Sequence, residues 1–286
     1  MGISISNLIS YDIVVSITVA SIVLLVVWFI MRGYKNFCEH HKKLFKQPPP
    51  EEDCPICFLR LPTMLTGRKY YSCCGQTICS GCSYAPVYDN QGNKVDNQKC
   101  PFCRRPTPHT VEEILNRLNK RVEVDDPIAI YNLGNYYSRG EGAYGFPQDY
   151  SKALELWHRA GELGCTEAYC SIGYSYLRGE GVKVDKNKAR HYFDSAAMMG
   201  DVVSRYSLGF SEDSKGNMDR ALRHFLIGVK SGHIDSLNGI QKLYSNGHAT
   251  KDDYKKALQL YQAYLDEIKS AQRDTAAAAN KRYRYY

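Results

Sequence analysis

The chain has 286 residues, 44% hydrophobic and 23% charged, which is the composition of a folded protein and excludes wholesale disorder. Its net charge of +7 is only mildly basic, and no stripe of lysine and arginine interleaved with aromatics runs through it, so no nucleic-acid partner is expected. The length suffices for two modest domains and a membrane segment.

Residues 1–12 are a short stretch without lysine or arginine, and from Ile13 to Met31 the chain carries no charge at all. As a helix, that run spans roughly 28 Å, near the hydrocarbon thickness of a bilayer. Trp28 falls near one end, where an amphipathic ring suits the interface. A cleaved signal peptide would show a basic start, a shorter apolar core and a small-residue cleavage site, so residues 13–31 fit a retained single-span anchor better. Arg32, Lys35, Lys42, Lys43 and Lys46 all follow the span and only Asp12 precedes it. The positive-inside rule then places everything C-terminal in the cytosol, with the endoplasmic reticulum as one candidate membrane. Gly2 to Ser6 also fits an N-myristoylation pattern, which a spanning helix makes redundant, and Cys38 lies where palmitoylation would occur. Residues 32–50 form a basic juxtamembrane linker ending in Pro48-Pro49-Pro50, a stiff extended run.

Residues 51–108 hold eight of the 11 cysteines in four pairs: Cys54-x-x-Cys57, Cys73-Cys74, Cys79-x-x-Cys82 and Cys100-x-x-Cys103. Two tetrahedral zinc ions need eight ligands, the number present, and four-thiolate sites without an open position are structural. A disulfide framework is the alternative, but it requires an oxidising compartment, which the expected topology denies. Adjacent Cys73 and Cys74 can reach one ion only through an unusual turn, for which Gly75 supplies conformational freedom. Cys165 and Cys170 sit in apolar helical patterns and read as core residues.

The Cys54–Cys103 segment resembles a RING finger of the all-cysteine type. The resemblance implies a cross-brace, with Cys54, Cys57, Cys79 and Cys82 on one structural Zn2+ and Cys73, Cys74, Cys100 and Cys103 on the other. It further implies recruitment of a ubiquitin-conjugating enzyme through Ile56 and Pro101. Arg104 would bridge that enzyme and its attached ubiquitin, a task suited to a forked guanidinium; balancing thiolate charge, with Lys99 and Arg105, is its alternative role. Cys74 stands where the commonest pattern has histidine. No tryptophan lies between Cys82 and Cys100, which leaves Tyr84 or Val87 as the bulky contact.

Residues 109–126 begin with a capping box, Thr110 and Glu113, followed by Ile114, Leu115, Leu118 and Val122 at helical spacing, which predicts a connecting helix over about 111–122. Over 127–270 the chain repeats itself. Ala153, Ala189, Ala221 and Ala257, the glycines Gly164, Gly200 and Gly232, and Leu133, Ile172, Leu208 and Ile240 recur at periods that mean an α-solenoid of helix hairpins. Glycines 179 and 181 should end one helix and Asp185 cap the next. This stretch resembles the Sel-1-like repeat, a relative of the tetratricopeptide repeat, over roughly residues 127–266, with a shortened third unit where Glu212–Asn217 replaces a longer loop. Its recurrent residues read as core. No catalytic constellation lies among them, and the stacked architecture suits protein partners. Residues 271–286 read as a fraying helix and a basic-aromatic tail.

The expected fold class is therefore α with a small zinc-stabilised module: a transmembrane helix, a RING-like cross-brace and an α-solenoid. Two functions fit. One is a membrane-anchored RING-type ubiquitin ligase whose repeats bind a substrate or complex subunit; the other is a non-enzymatic zinc-binding scaffold.

Overall fold

The computed structural model describes residues 5–47, 52–63, 65–85, 91, 93, 99–140 and 147–286, with the side chains of the first helix described from Leu24 onward. The chain divides into two compact units, residues 1–46 and 47–286. The first is one helix, α1 (Ile5–Leu44). Its apolar residues from Leu24 to Met31 are each 49–69% exposed, and the Arg32 guanidinium lies 5.0 Å from the centre of the Trp28 ring. Of the expected span 13–31, residues 13–23 lie outside the described side chains. Among the described residues no helix is long and apolar enough to cross a membrane. Gly2, the proline run and Val87 also lie outside the described residues.

The second unit opens on the cysteine module. Strands β1 (Arg68–Tyr71) and β2 (Gln76–Cys79) pair antiparallel with Arg68 opposite Cys79 and Tyr71 opposite Gln76, and α2 (Ser80–Tyr84) follows directly. Helix α3 (Val111–Val122) starts at Thr110, whose hydroxyl accepts the Glu113 N–H, while the Glu113 carboxylate accepts the N–H of His109. The chain then reverses through Asp125, in a left-handed conformation at φ 55°.

Among the described residues, eight helices make up the repeat array: α4 (Pro127–Arg139), α5 (Tyr150–Glu162), α6 (Thr166–Arg178), α7 (Lys186–Met199), α8 (Val202–Ser214), α9 (Met218–Lys230), α10 (Ile234–Ser245) and α11 (Lys251–Ile268). Aspartates 126, 149, 185 and 201 cap four of them by accepting backbone N–H groups that would otherwise lack partners. Neighbours in sequence pack in pairs, and the recurrent residues Ala153, Ala189, Ala221, Ala257, Leu133, Ile172, Leu208 and Ile240 are all buried. Gly164, Gly200 and Gly232 occupy the turns between repeats at φ 100°, 114° and 83°, a region in which a side chain is strained.

A second pattern sets how close the helices come. A Cβ on Gly134 would lie 2.7 Å from the Trp157 ring, on Gly173 2.7 Å from Phe193, and on Gly209 2.6 Å from Phe225. In each of these pairs the first helix of the hairpin lacks a side chain where an aromatic ring of the second packs against it. The shortened third unit closes differently from a polar loop. Glu212 is inside α8 and buried, where its carboxylate accepts from Arg190 at 2.6 Å and Asn217 at 2.8 Å and lies 3.5 Å from Arg220. These partners hold it ionised, below the usual carboxylate range against the opposing effect of burial.

The C-terminal residues correct the expectation of a fraying end. Helix α12 (Ala271–Ala279) and the 3-10 turn Lys281–Tyr283 pack on the cysteine module, and Arg273 and Tyr285 are among the most deeply buried side chains of the chain.

Gly173→Ala tests the glycine–ring packing. Alanine ordinarily stabilises a helix interior relative to glycine by about 1 kcal/mol. Here the clash with Phe193 should outweigh that gain and cost roughly 1–3 kcal/mol, read as a lower urea midpoint with an unchanged slope.

Candidate metal centre

Two of the four cysteine pairs ride on the same local device. At the first, the Cys54 N–H donates to the Leu59 carbonyl and the Phe58 N–H to the Cys54 carbonyl, both at 2.9 Å, with Phe58 at φ 55°. At the last, Cys100 N–H donates to the Arg105 carbonyl at 2.8 Å and Arg104 N–H to the Cys100 carbonyl at 3.0 Å, with Arg104 at φ 61°. Each knuckle turns both of its sulfurs to the same side. Cys79 is the N-cap of α2 and its sulfur accepts the Cys82 N–H at 3.4 Å, so the third pair rides on a helix start. Cys73 and Cys74 lie in the turn joining β1 to β2. There the Cys74 and Gly75 N–H groups both donate to the Tyr71 carbonyl, at 3.2 and 2.8 Å, and Gly75 sits at φ 74°. A Cβ at Gly75 would collide with the Arg121 guanidinium. Glycine is required there both for the turn and for the packing above it.

The eight sulfurs gather into two groups, Cys54, Cys57, Cys79 and Cys82, and Cys73, Cys74, Cys100 and Cys103, each with all its sulfurs within 4.8 Å of one another. The adjacent cysteines both reach the second group. All 11 cysteines are free thiols. Sulfur separations of 3.8 Å for Cys57–Cys79, 3.8 Å for Cys74–Cys100 and 3.4 Å for Cys73–Cys103 are far beyond a disulfide bond of about 2.0 Å. A tetrahedral zinc with bonds of about 2.3 Å to sulfur has edges of about 3.8 Å. The donor chemistry and the spacing therefore fit a divalent, thiophilic metal at each position. Desolvation, reinforced by the neighbouring thiols, pushes the Cys74 thiol up to about 11 and raises that of Cys73 as well, so a nearby dication is what would hold these sulfurs as thiolates at neutral pH.

The surroundings of the two groups differ. Around the first, Cys79 N–H points at Cys54 Sγ at 3.5 Å, and the fully buried Arg273 places Nη2 3.8 Å from Cys57 Sγ. The Gln272 side chain stands 3.7 Å from Cys82 Sγ. Gly81 lets α12 approach this closely, since a Cβ there would lie 2.9 Å from the Arg273 nitrogen. Around the second, Arg105 donates to the Cys73 carbonyl at 3.4 Å, and a cleft of about 470 Å³ opens beside Cys73 and Cys100, lined also by Lys69, Arg117, Asn132 and Tyr136.

Of the residues expected to meet a partner, Ile56 is 36% exposed, Pro101 half-buried and Arg104 exposed. Phe58 and Phe102, on the same two knuckles, are more exposed still, at 77% and 46%. They were recognisable only as apolar residues next to ligands. Tyr84 departs from expectation. It is buried, its ring 5.6 Å from that of Tyr283, so the C-terminal turn covers it. Arg273 and Gln272 carry no local sequence signal, because their partners lie some two hundred positions away. Cys165 and Cys170 are buried in the array, where desolvation raises both thiols.

The module is also pinned along the turn edge of the repeats. Arg68 pairs with Glu167 at 3.0 Å, Thr63 Oγ1 donates to the Ser231 carbonyl at 2.7 Å and its N–H to Tyr264 Oη at 2.9 Å, and Arg60 pairs with Glu267 at 2.6 Å. Asp126 joins β1, α3 and α4. One of its oxygens accepts from Tyr70 at 2.7 Å and twice from Arg121, while the other caps α4 through Ile128 and Ala129 N–H.

Three stretches, residues 127–165, 166–201 and 239–263, match the family model of the Sel1 repeat. Over these stretches the helical array is a solenoid of Sel1-like repeats, an architecture suited to protein–protein interaction. Among curated relatives, chitin synthase regulatory factor 4 of Schizosaccharomyces pombe is 28% identical over 36% of this chain and 16% of its own length. The ERAD-associated E3 ubiquitin-protein ligase component HRD3B of Arabidopsis thaliana is 30% identical over 40% of this chain and 17% of its own. The chain spans less than a third of the length of the curated relatives it matches. Of solved structures, a Sel1 repeat protein from Oxalobacter formigenes is 26% identical with a TM-score of 0.45, covering 59% of this chain and 64% of the other. The Escherichia coli protective antigen c5321, described as displaying an SLR fold, is 24% identical with a TM-score of 0.47, covering 61% and 38%.

Purified full-length protein should carry two equivalents of zinc in native mass spectrometry. Cys74→Ser should carry one, since a serine hydroxyl is no thiolate; retention of two equivalents would remove Cys74 from the ligand set.

Proposed function

We propose that the chain is a membrane-anchored RING-type ubiquitin ligase with two structural zinc ions and Sel1-like repeats that hold a substrate or complex subunit. The observation that carries it is the interleaving of the four pairs: the first with the third and the second with the fourth. That is the cross-brace the RING resemblance implies. It leaves the two knuckles free to display Ile56, Phe58, Pro101 and Phe102 beside the exposed Arg104. Exposed apolar residues on the two knuckles, with a guanidinium on the second, are suited to grip a conjugating enzyme and hold its ubiquitin thioester for attack by a lysine. The acyl transfer belongs to that enzyme, and this chain contributes positioning. Zinc, when bound, would keep the knuckles in shape through Cys54, Cys57, Cys79 and Cys82 and through Cys73, Cys74, Cys100 and Cys103. The likeness to an Arabidopsis protein named as a ligase component supports the pairing of such repeats with ubiquitin transfer. The exposed apolar run Leu24–Met31 and the lysines after it support an anchor over residues 13–31 with the module on the cytosolic side.

One observation favours a non-enzymatic scaffold instead: Tyr84, the described candidate for the bulky partner contact, is covered by Tyr283. Incubation of the full-length protein in detergent with activating enzyme, a panel of conjugating enzymes, ubiquitin and ATP separates the two. For the ligase, chains form with at least one conjugating enzyme, and both Ile56→Ala and Arg104→Ala lower the rate by 10-fold or more while retaining two zincs. Silence with every conjugating enzyme, in a protein holding both metals, would establish the scaffold.

A further inference from the structure

We propose that Arg273 is the counter-cation of the first cysteine group, so that the C-terminal helix is an integral part of that metal site rather than a tail. The inference rests on the reading of the two cysteine groups as metal sites and goes beyond it by assigning a positioning residue more than two hundred positions from the ligand it faces. Four thiolates on one dication leave about two net negative charges in a buried place, and buried charge is tolerated only when paired. Among the described residues around this group, Arg273 meets that need. Its side chain is fully buried, with Nη2 3.8 Å from Cys57 Sγ. Its two terminal nitrogens also donate to backbone: Nη1 to the carbonyl of Arg60 beside the first knuckle at 2.9 Å and to that of Ile268 at the end of α11 at 2.6 Å, and Nη2 to Leu59 at 3.4 Å. Leu59 is the residue whose carbonyl also accepts the Cys54 N–H and closes that knuckle. A single planar fork thus fixes the knuckle, the end of α11 and the charge of the sulfurs. Gly81 on α2, Tyr84 against Tyr283 and Tyr285 against Gly67 bring the helix to this depth.

Among the described residues the second group has no guanidinium within reach of a sulfur: Arg105 donates to a Cys73 carbonyl, and Lys69, the cation whose charge Cys100 feels, lines an open cleft beside it. The two sites should therefore respond differently to loss of Arg273. By linkage, metal in the first site and docking of residues 271–286 stabilise each other to the same degree.

The test is zinc release from the full-length protein in detergent, followed with 4-(2-pyridylazo)resorcinol, with Cys54→Ser used to assign the phase belonging to the first site. Arg273→Gln should speed that phase by 10–100-fold, the range for loss of an outer-shell partner, and leave the other phase unchanged. Arg273→Lys, which keeps the charge but not the fork, should fall between. Tyr283→Ala, which loosens the helix without touching the guanidinium, serves as a second route should Arg273→Gln fail to fold: it should speed the same phase by less. Amide exchange in residues 271–286 should rise when the wild-type protein is stripped of zinc. Equal acceleration of both phases, or no acceleration of either, would overturn the proposal, as would unchanged exchange of the helix after stripping. A wild-type protein that holds no zinc overturns the metal reading itself and is seen before any variant is made.

Discussion

The interior of the cysteine module is made largely of sulfur. Among the described residues, four of the seven at its centre are cysteines, and Leu61, Tyr71 and Ile78 contribute the ordinary apolar bulk. So small a core cannot offset the entropy of ordering some fifty residues. Everything around the module follows from that constraint. Two groups of sulfurs disposed for metal supply one source of cohesion, and the repeat array supplies the other. Strand β1 is tied through Arg68 and Tyr70 to Glu167 and Asp126, and the loop before it through Arg60 and Thr63 to Glu267, Tyr264 and Ser231. Much of this anchoring is polar, as expected where two surfaces meet that are each too hydrated to merge into one core.

The array itself is built on the opposite principle. Its cohesion is local, each helix meeting its sequence neighbours, and the alanine and glycine positions let backbones and rings come close enough to bury a continuous apolar row. A row of this kind ends with one face open at each terminus. At the C-terminal end that face is not left to solvent, because Tyr264 and Ile268 of α11 pack with Tyr285 after the chain has turned back. The segment that closes the array is therefore the same one that reaches the first cysteine group.

How much of this could be read beforehand divides along contact range. The periodic alanines, the Asp185 cap and the cysteine pairs are local patterns, and they are where they were expected. The grouping of those pairs needed a family resemblance, since spacing alone allows more than one way to join four pairs into two sites. The role of the last sixteen residues was not legible at all. AQRDTAAAANKRYRYY shows a weak helix signal, several charges and no apolar stripe. Its burial depends on Arg273 finding three carbonyls and a sulfur, and on Tyr285 donating to Asp274, neither of which leaves a periodic trace. Glu212 was misplaced for the same reason: a carboxylate beside Asp213, Ser214 and Gly216 reads as loop until Arg190, Arg220 and Asn217 surround it.

The placement of α12 also bears on which surface of the module is free. The C-terminal turn occupies the side that Tyr84 faces, whereas Ile56, Phe58, Phe102 and Arg104 remain exposed on the two knuckles. A protein that held its cysteine module only as a structural plug would have no use for four large apolar or cationic side chains in solvent beside its ligands, and two of them, Phe58 and Arg104, sit at positive φ, where a side chain is disfavoured. Glycine would fit both positions without strain. Bulky residues stand there instead, at matching places in two separate knuckles, and the proposed contact with a protein partner is what would give them a use.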